Sequence, residues 1–106
     1  MSVYYHYTTK NNADSIIKSK RLNGEVFACD NIKDLSKFLS VYLHLKRFKK
    51  EDIRIIAFVP LKDTFTESYD HSPKFFDGAK AYISYKDIKF DTYVVHNFED
   101  IFTYNE

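Results

Sequence analysis

The chain has no tryptophan, one cysteine, two glycines and two prolines. A lone thiol, Cys29, excludes an internal disulfide framework and fits a reducing compartment. So few glycines exclude a glycine-rich phosphate loop and a flexible linker. No apolar run approaches the roughly 18 residues that cross a bilayer as a helix. The N-terminus lacks the charged-then-apolar layout of a secretory signal. Neither sign of charge dominates: Lys and Arg number 16, Asp and Glu 15, for a net charge of +1. Nothing in that balance calls for nucleic acid or an anionic membrane as partner. No repeat or low-complexity stretch interrupts the chain. The expectation is a cytoplasmic, soluble protein with no membrane partner.

What is present is aromatic. Of 106 residues, 18% are Tyr or Phe (nine and ten respectively), and 44% are hydrophobic. The length implies a single domain over residues 1–106 with a small core. The aromatic excess favours strands and suits stacking on a planar ligand.

Residues 3–8 read as a first strand. Thr9 to Asn12 offer helix caps, and Ala13, Ile16 and Ile17 mark the buried side of a short helix ending near Ser19. Residues 20–24 read as a loop and 25–29 as a short strand. Asp30 or Asn31 caps a second helix. Its apolar face is Leu35, Phe38, Leu39, Tyr42 and Leu45, spaced by three and four, and the pattern reaches Phe48. Residues 53–59 form the strongest strand, closed by Pro60 and apolar enough to be covered on both faces. Residues 61–80 read as a long polar loop of the kind that is commonly functional. Residues 81–85 and 90–95 are two more strands. The tail, 98–104, reads as an edge strand or an irregular cap. Helices come early and strands late, which predicts an α+β domain with two short-to-medium helices.

Two segments carry the chemistry. The first is Tyr4-Tyr5-His6-Tyr7-Thr8, in which His6 and Thr8 project to one side of the strand. The second is Val26-Phe27-Ala28-Cys29-Asp30, followed by a helix that bears Phe38. A lone histidine in a tyrosine-rich strand is ordinarily packed and bonded to backbone. Here a hydroxyl and two aromatic rings accompany it, a set able to grip the amide, ribose and ring of a nicotinamide nucleotide.

These segments resemble the ADP-ribosyltransferase superfamily, in particular the branch with a His-Tyr-Glu triad. His6-Tyr7-Thr8 is similar to the family's His-Gly-Ser or His-Tyr-Thr strand. Ser15-Ile16-Ile17-Lys18-Ser19 is similar to the helix that follows it. Val26-Phe27-Ala28-Cys29-Asp30 is similar to Tyr-Phe-Ala-Asp, and Phe38 stands where the family has a second aromatic. The strand 53–60 and Phe90-Asp91-Thr92-Tyr93-Val94-Val95 complete the order along nearly the whole chain. The resemblance implies a compact, split β-sheet core that uses NAD as substrate and modifies a macromolecular acceptor, expected to be protein. Under it, His6 bonds a ribose hydroxyl, the Tyr7 backbone meets the carboxamide, and Thr8 supplies a nearby hydroxyl. Phe27 and Phe38 sandwich the ring.

The chain departs from the family where it matters most. Thr92 stands in place of the catalytic glutamate, which stabilises an oxocarbenium-like ribosyl cation and orients the acceptor. Synthesis of poly(ADP-ribose) is therefore not expected. Glu67, Asp70 and Asp91 are the acids considered as replacements, although Asp91 should point to the opposite face from Thr92. As plain loop acids, Glu67 and Asp70 would simply be solvated. Two rival readings stand beside the transferase. One is a module that binds NAD, ADP-ribose or a related nucleotide without turnover. The other is a protein-interaction domain with a vestigial pocket.

The remaining features are blander. Lys46, Arg47, Lys49 and Lys50 cluster at a helix end, where cations complement the helix dipole; the functional alternative is a contact for phosphates or for an acidic or nucleic-acid target. His44, His71 and His96 lack metal-ligand spacing, so no metal site is expected. Cys29 reads as a small buried hydrophobe. The Lys-, Asn-, Ile- and Tyr-rich composition and the resemblance together suggest a toxin or host-conflict protein of bacterial or phage origin.

Overall fold

The structure, a computed structural model, describes residues 2–46, 49–69, 76 and 78–102. Among the described residues, seven strands and three α-helices follow in the order β1 (Tyr4–Thr9), α1 (Lys10–Ser19), β2 (Arg21–Leu22), β3 (Val26–Ala28), α2 (Ile32–His44), a 3-10 turn (Lys50–Asp52), β4 (Ile53–Pro60), β5 (Thr66–Ser68), β6 (Ala81–Ser84), β7 (Ile88–Asn97) and α3 (Phe98–Phe102). They build two antiparallel sheets, β1-β4-β7-β2 and β3-β6-β5. The sheets meet where Tyr5 and Cys29 exchange backbone hydrogen bonds of 2.7 and 2.9 Å. The α+β class read from the sequence is what is observed.

β4 is the pivot. Its side chains alternate between two cores. Ile53 and Ile55 pack with Leu35, Phe38 and Leu39 of α2, while Ile56 and Phe58 pack with Ala13 of α1, Val26, Ala28, Ile88 and Phe90. Both faces of the strand are thus covered, as its continuous apolar run requires. Each isoleucine so buried contributes about 1.5–3 kcal/mol.

Both long helices start where their caps predict. The Thr9 hydroxyl accepts the Asn12 N–H, and the Asn31 side chain accepts the Asp34 N–H at 2.8 Å. Such a cap is worth about 0.5–2 kcal/mol. The stops are less legible. α2 ends at His44 rather than near Phe48, and Lys46 just beyond it takes a left-handed conformation (φ 57°) that cannot continue the helix. Leu45, expected on the buried face, is 49% exposed. Arg47 and Phe48 lie outside the described residues.

Other expectations are corrected by pairing. Residues 21–22, read as loop, form β2 against Ile88 and Lys89 of β7. Residues 66–68, read as part of the long loop, form β5 on the edge of β6. β7 runs from 88 to 97, longer than the sequence suggested. The tail begins as a helix rather than a strand, and the Asp100 carboxylate accepts the Asn97 N–H at its start. Across the sheets, the Tyr4 hydroxyl donates to Asp63 at 2.7 Å, which ties β1 to the connection after β4.

Candidate functional site

The two-residue period of β1 splits its side chains between two cavities. Tyr7 faces α2. His6 and Thr8 face α1.

The α2-side pocket encloses about 250 Å³ and is mostly apolar. Four rings line it: Tyr7 from β1, Phe27 from β3, and Phe38 and Tyr42 from α2, with the Cys29 thiol and the Ser68 hydroxyl as polar members. Phe38 is held by Phe76, whose ring centroid lies 4.6 Å away. The Tyr7 hydroxyl bonds that of Tyr42, and burial followed by this contact pushes Tyr7 well above the ordinary phenol range. Burial likewise pushes the Cys29 thiol up to about 12, with Asp34 and Asp30 adding to the effect. Neither group ionises near neutrality. The volume lies just below the ~300 Å³ at which pockets for drug-sized ligands begin, so it suits one small planar group.

The α1-side cleft is polar and encloses about 360 Å³. His6 and Thr8 line it with Asn12, Ser15 and Ser19 of α1, then Arg21 of β2 and Glu25 from the connection into β3. His6 Nδ1 lies 2.7 Å from the Phe27 carbonyl oxygen. A carbonyl only accepts, so Nδ1 carries the hydrogen and Nε2 is left as an acceptor. Desolvation lowers the His6 pKa below its ordinary value, and the Phe27 carbonyl partly offsets this. The imidazole is therefore neutral at pH 7. The backbone bond is the one expected of a packed histidine, and the ring also lines a cavity.

No protein-family model, curated protein or solved structure matches this chain.

Of the residues singled out in the sequence, Tyr7, Phe27 and Phe38 come together in one pocket. His6 joins them only through the Phe27 carbonyl. Thr8, expected beside the carboxamide with the rings, lies on the opposite face of β1 from them. The acids fare differently. Ser68 faces the ring pocket, so its neighbour Glu67 points to the other side of β5, opposite Tyr82. There the Glu67 carboxylate lies close enough to the Tyr69 hydroxyl to raise its pKa. Asp91 and Thr92 lie on β7, with β4 between them and β1, and both are exposed. Asp91 borders an open hollow with Lys20, Arg21 and Lys89, next to the His6 cleft with which it shares Ser19 and Arg21. Asp70 and His71 lie outside the described residues. Among the described residues no group of three or more His, Cys, Asp or Glu gathers as metal ligands would. In the basic cluster, Lys50 sits 5.6 Å from the centre of the Phe98 ring. No helix of the described residues is long and apolar enough to cross a membrane.

Sequence reasoning missed Tyr42, Ser68, Arg21 and Glu25 as cavity-lining residues. Tyr42 was within reach, since it follows Phe38 by four on the helix. The other three lie in segments read as loop or strand end, where only sheet pairing determines orientation.

Proposed function

We propose that this protein is a small NAD-binding domain of ADP-ribosyltransferase type that transfers a single ADP-ribose to a macromolecular acceptor, most simply a protein. One observation carries the reading. Tyr7, Phe27 and Phe38, each from a different element, converge on one ring-sized apolar pocket, and the histidine of the same motif is oriented by the carbonyl of Phe27. Offset stacking on such rings adds about 0.5–1.5 kcal/mol beyond area burial.

The backbone supports a place for the carboxamide. Tyr5 directs its N–H and C=O toward β3, where Cys29 meets them. By the period of an antiparallel strand, Tyr7 directs its own N–H and C=O to that same side. An amide approaching Phe27 would meet them there. The neutral His6 then offers Nε2 to a ribose hydroxyl, and the polar cleft beyond receives the rest of the nucleotide.

The deciding experiment is release of nicotinamide from NAD, with and without a bacterial lysate as acceptor, with His6→Ala as control. Release that depends on His6 supports the transferase. A non-catalytic nucleotide-binding module is favoured by one fact: among the described residues no carboxylate lines the ring pocket. Calorimetric binding of NAD without release would select that reading. Absence of both would remove the nucleotide and leave an interaction domain.

A further inference from the structure

Neither Glu67 nor Asp91 lines the ring pocket or the His6 cleft, and Thr92 carries no charge, yet one carboxylate does line the cleft. Glu25 is the single Asp or Glu among the described residues lining either the ring pocket or the His6 cleft. It is exposed, and among the described residues it makes no hydrogen bond or ion pair.

Its placement is built into the backbone. Gly24 lies so close to the 85–86 turn that a β-carbon there would sit 2.8 Å from the Tyr85 carbonyl oxygen and 3.0 Å from the Lys86 carbonyl carbon. The Gly24 N–H donates to Asp87 at 2.8 Å, and the other oxygen of Asp87 faces Arg21 at 4.0 Å. Asp87 thus pins both sides of the turn that delivers Glu25. Two residues further on, Phe27 supplies the carbonyl that orients His6 and a ring of the apolar pocket. One short segment, 24–27, therefore carries the acid, the orienting group for the histidine and the stacking ring.

We propose that Glu25 is the catalytic carboxylate of this site, in the role for which Thr92 has no charge; the proposal rests on the NAD reading above. The bond between ribose C1′ and the nicotinamide nitrogen breaks, and its electron pair leaves with nicotinamide, which departs neutral. The positive charge that develops at the ribose is stabilised by the Glu25 carboxylate. A lone pair of the acceptor forms the new bond to C1′, and the acceptor proton passes to Glu25. Nothing beyond NAD and the acceptor is consumed.

The test compares the wild type with Glu25→Gln and Glu25→Ala. It measures NAD affinity by calorimetry, single-turnover nicotinamide release, and the thermal midpoint as a check on folding. Both variants should fold and bind NAD within about threefold of wild type, because Glu25 is exposed and its loss removes only one cleft-lining group. Release should fall by about 10²–10³, the loss typical of one well-placed electrostatic group. Full release by Glu25→Gln would overturn the role of Glu25 and leave the transferase reading intact. Wild type that binds NAD but releases no nicotinamide would also overturn it. Wild type that does not bind NAD would remove the underlying reading and this proposal with it.

Discussion

His6 Nδ1 lies 2.7 Å from the carbonyl oxygen of Phe27, across the junction between the first sheet and the second. That bond sets the tautomer of the histidine and ties the strand bearing it to the strand bearing the stacking ring.

The first prediction concerns pH. His6 has its pKa lowered in the fold, chiefly by desolvation. The folded state then binds fewer protons than the unfolded chain as pH falls below about 6.5. The stabilising contribution is complete above that pH and is lost on acidification toward the folded pKa. Urea unfolding from pH 7.5 to 5 should therefore show wild type losing more stability than His6→Gln, whose amide can still donate to the Phe27 carbonyl. Equal slopes for the two proteins would mean that His6 is not desolvated.

The second separates stacking from packing. Phe38 is 6% exposed and Phe27 45% exposed. Phe38→Ala should cost about 3–5 kcal/mol of stability, as buried Phe truncations do. Phe27→Ala should cost well under half of that, yet weaken binding of nicotinamide or NAD by up to about tenfold, the scale of one lost stacking contact. Denaturation and calorimetry on the same two variants check both halves. An unaltered affinity in Phe27→Ala would move the ligand out of this pocket.

The third concerns the thiol. With its pKa pushed up to about 12 by burial and by Asp34 and Asp30, Cys29 stays protonated at pH 8. Native protein should be inert to a disulfide reagent that labels it fully in denaturant. Rapid labelling of the folded protein would show that the pocket wall opens.

The fourth concerns Gly24. Its close approach to the Tyr85 carbonyl leaves no room for a methyl group, and the obstacle is backbone rather than a yielding side-chain tip. Gly24→Ala should destabilise by about 1–3 kcal/mol. If the Tyr85 turn simply shifts, the thermal midpoint will not change.

Much of this architecture was legible before any coordinates. The apolar run of β4 announced a strand buried on both sides, and the three-four spacing of Leu35, Phe38 and Leu39 announced α2. The capping residues of 9–12 and the Asp30-Asn31 pair announced the helix starts, and the structure selects Thr9 and Asn31 among them. These are local signals, since caps and periodicity are written in neighbouring residues. α3, β2 and β5 were not legible. Two or three residues carry no period, and β2 and β5 exist because β7 and β6 lie beside them.

The site divides the same way. The sequence by itself singled out His6, Tyr7, Phe27 and Phe38 as one candidate set, through their residue types and order. It also determined that no glutamate stands at Thr92. Only the tertiary structure decided which of them share a cavity. The pleat of β1 sends His6 and Thr8 to one face and Tyr7 to the other. The pleat of β5 turns Glu67 away from the pocket that Ser68 faces. The Gly24 turn, pinned by Asp87 more than sixty residues along the chain, brings Glu25 into the cleft of His6. Side-chain direction follows from register, and register is fixed by long-range pairing that no local pattern encodes.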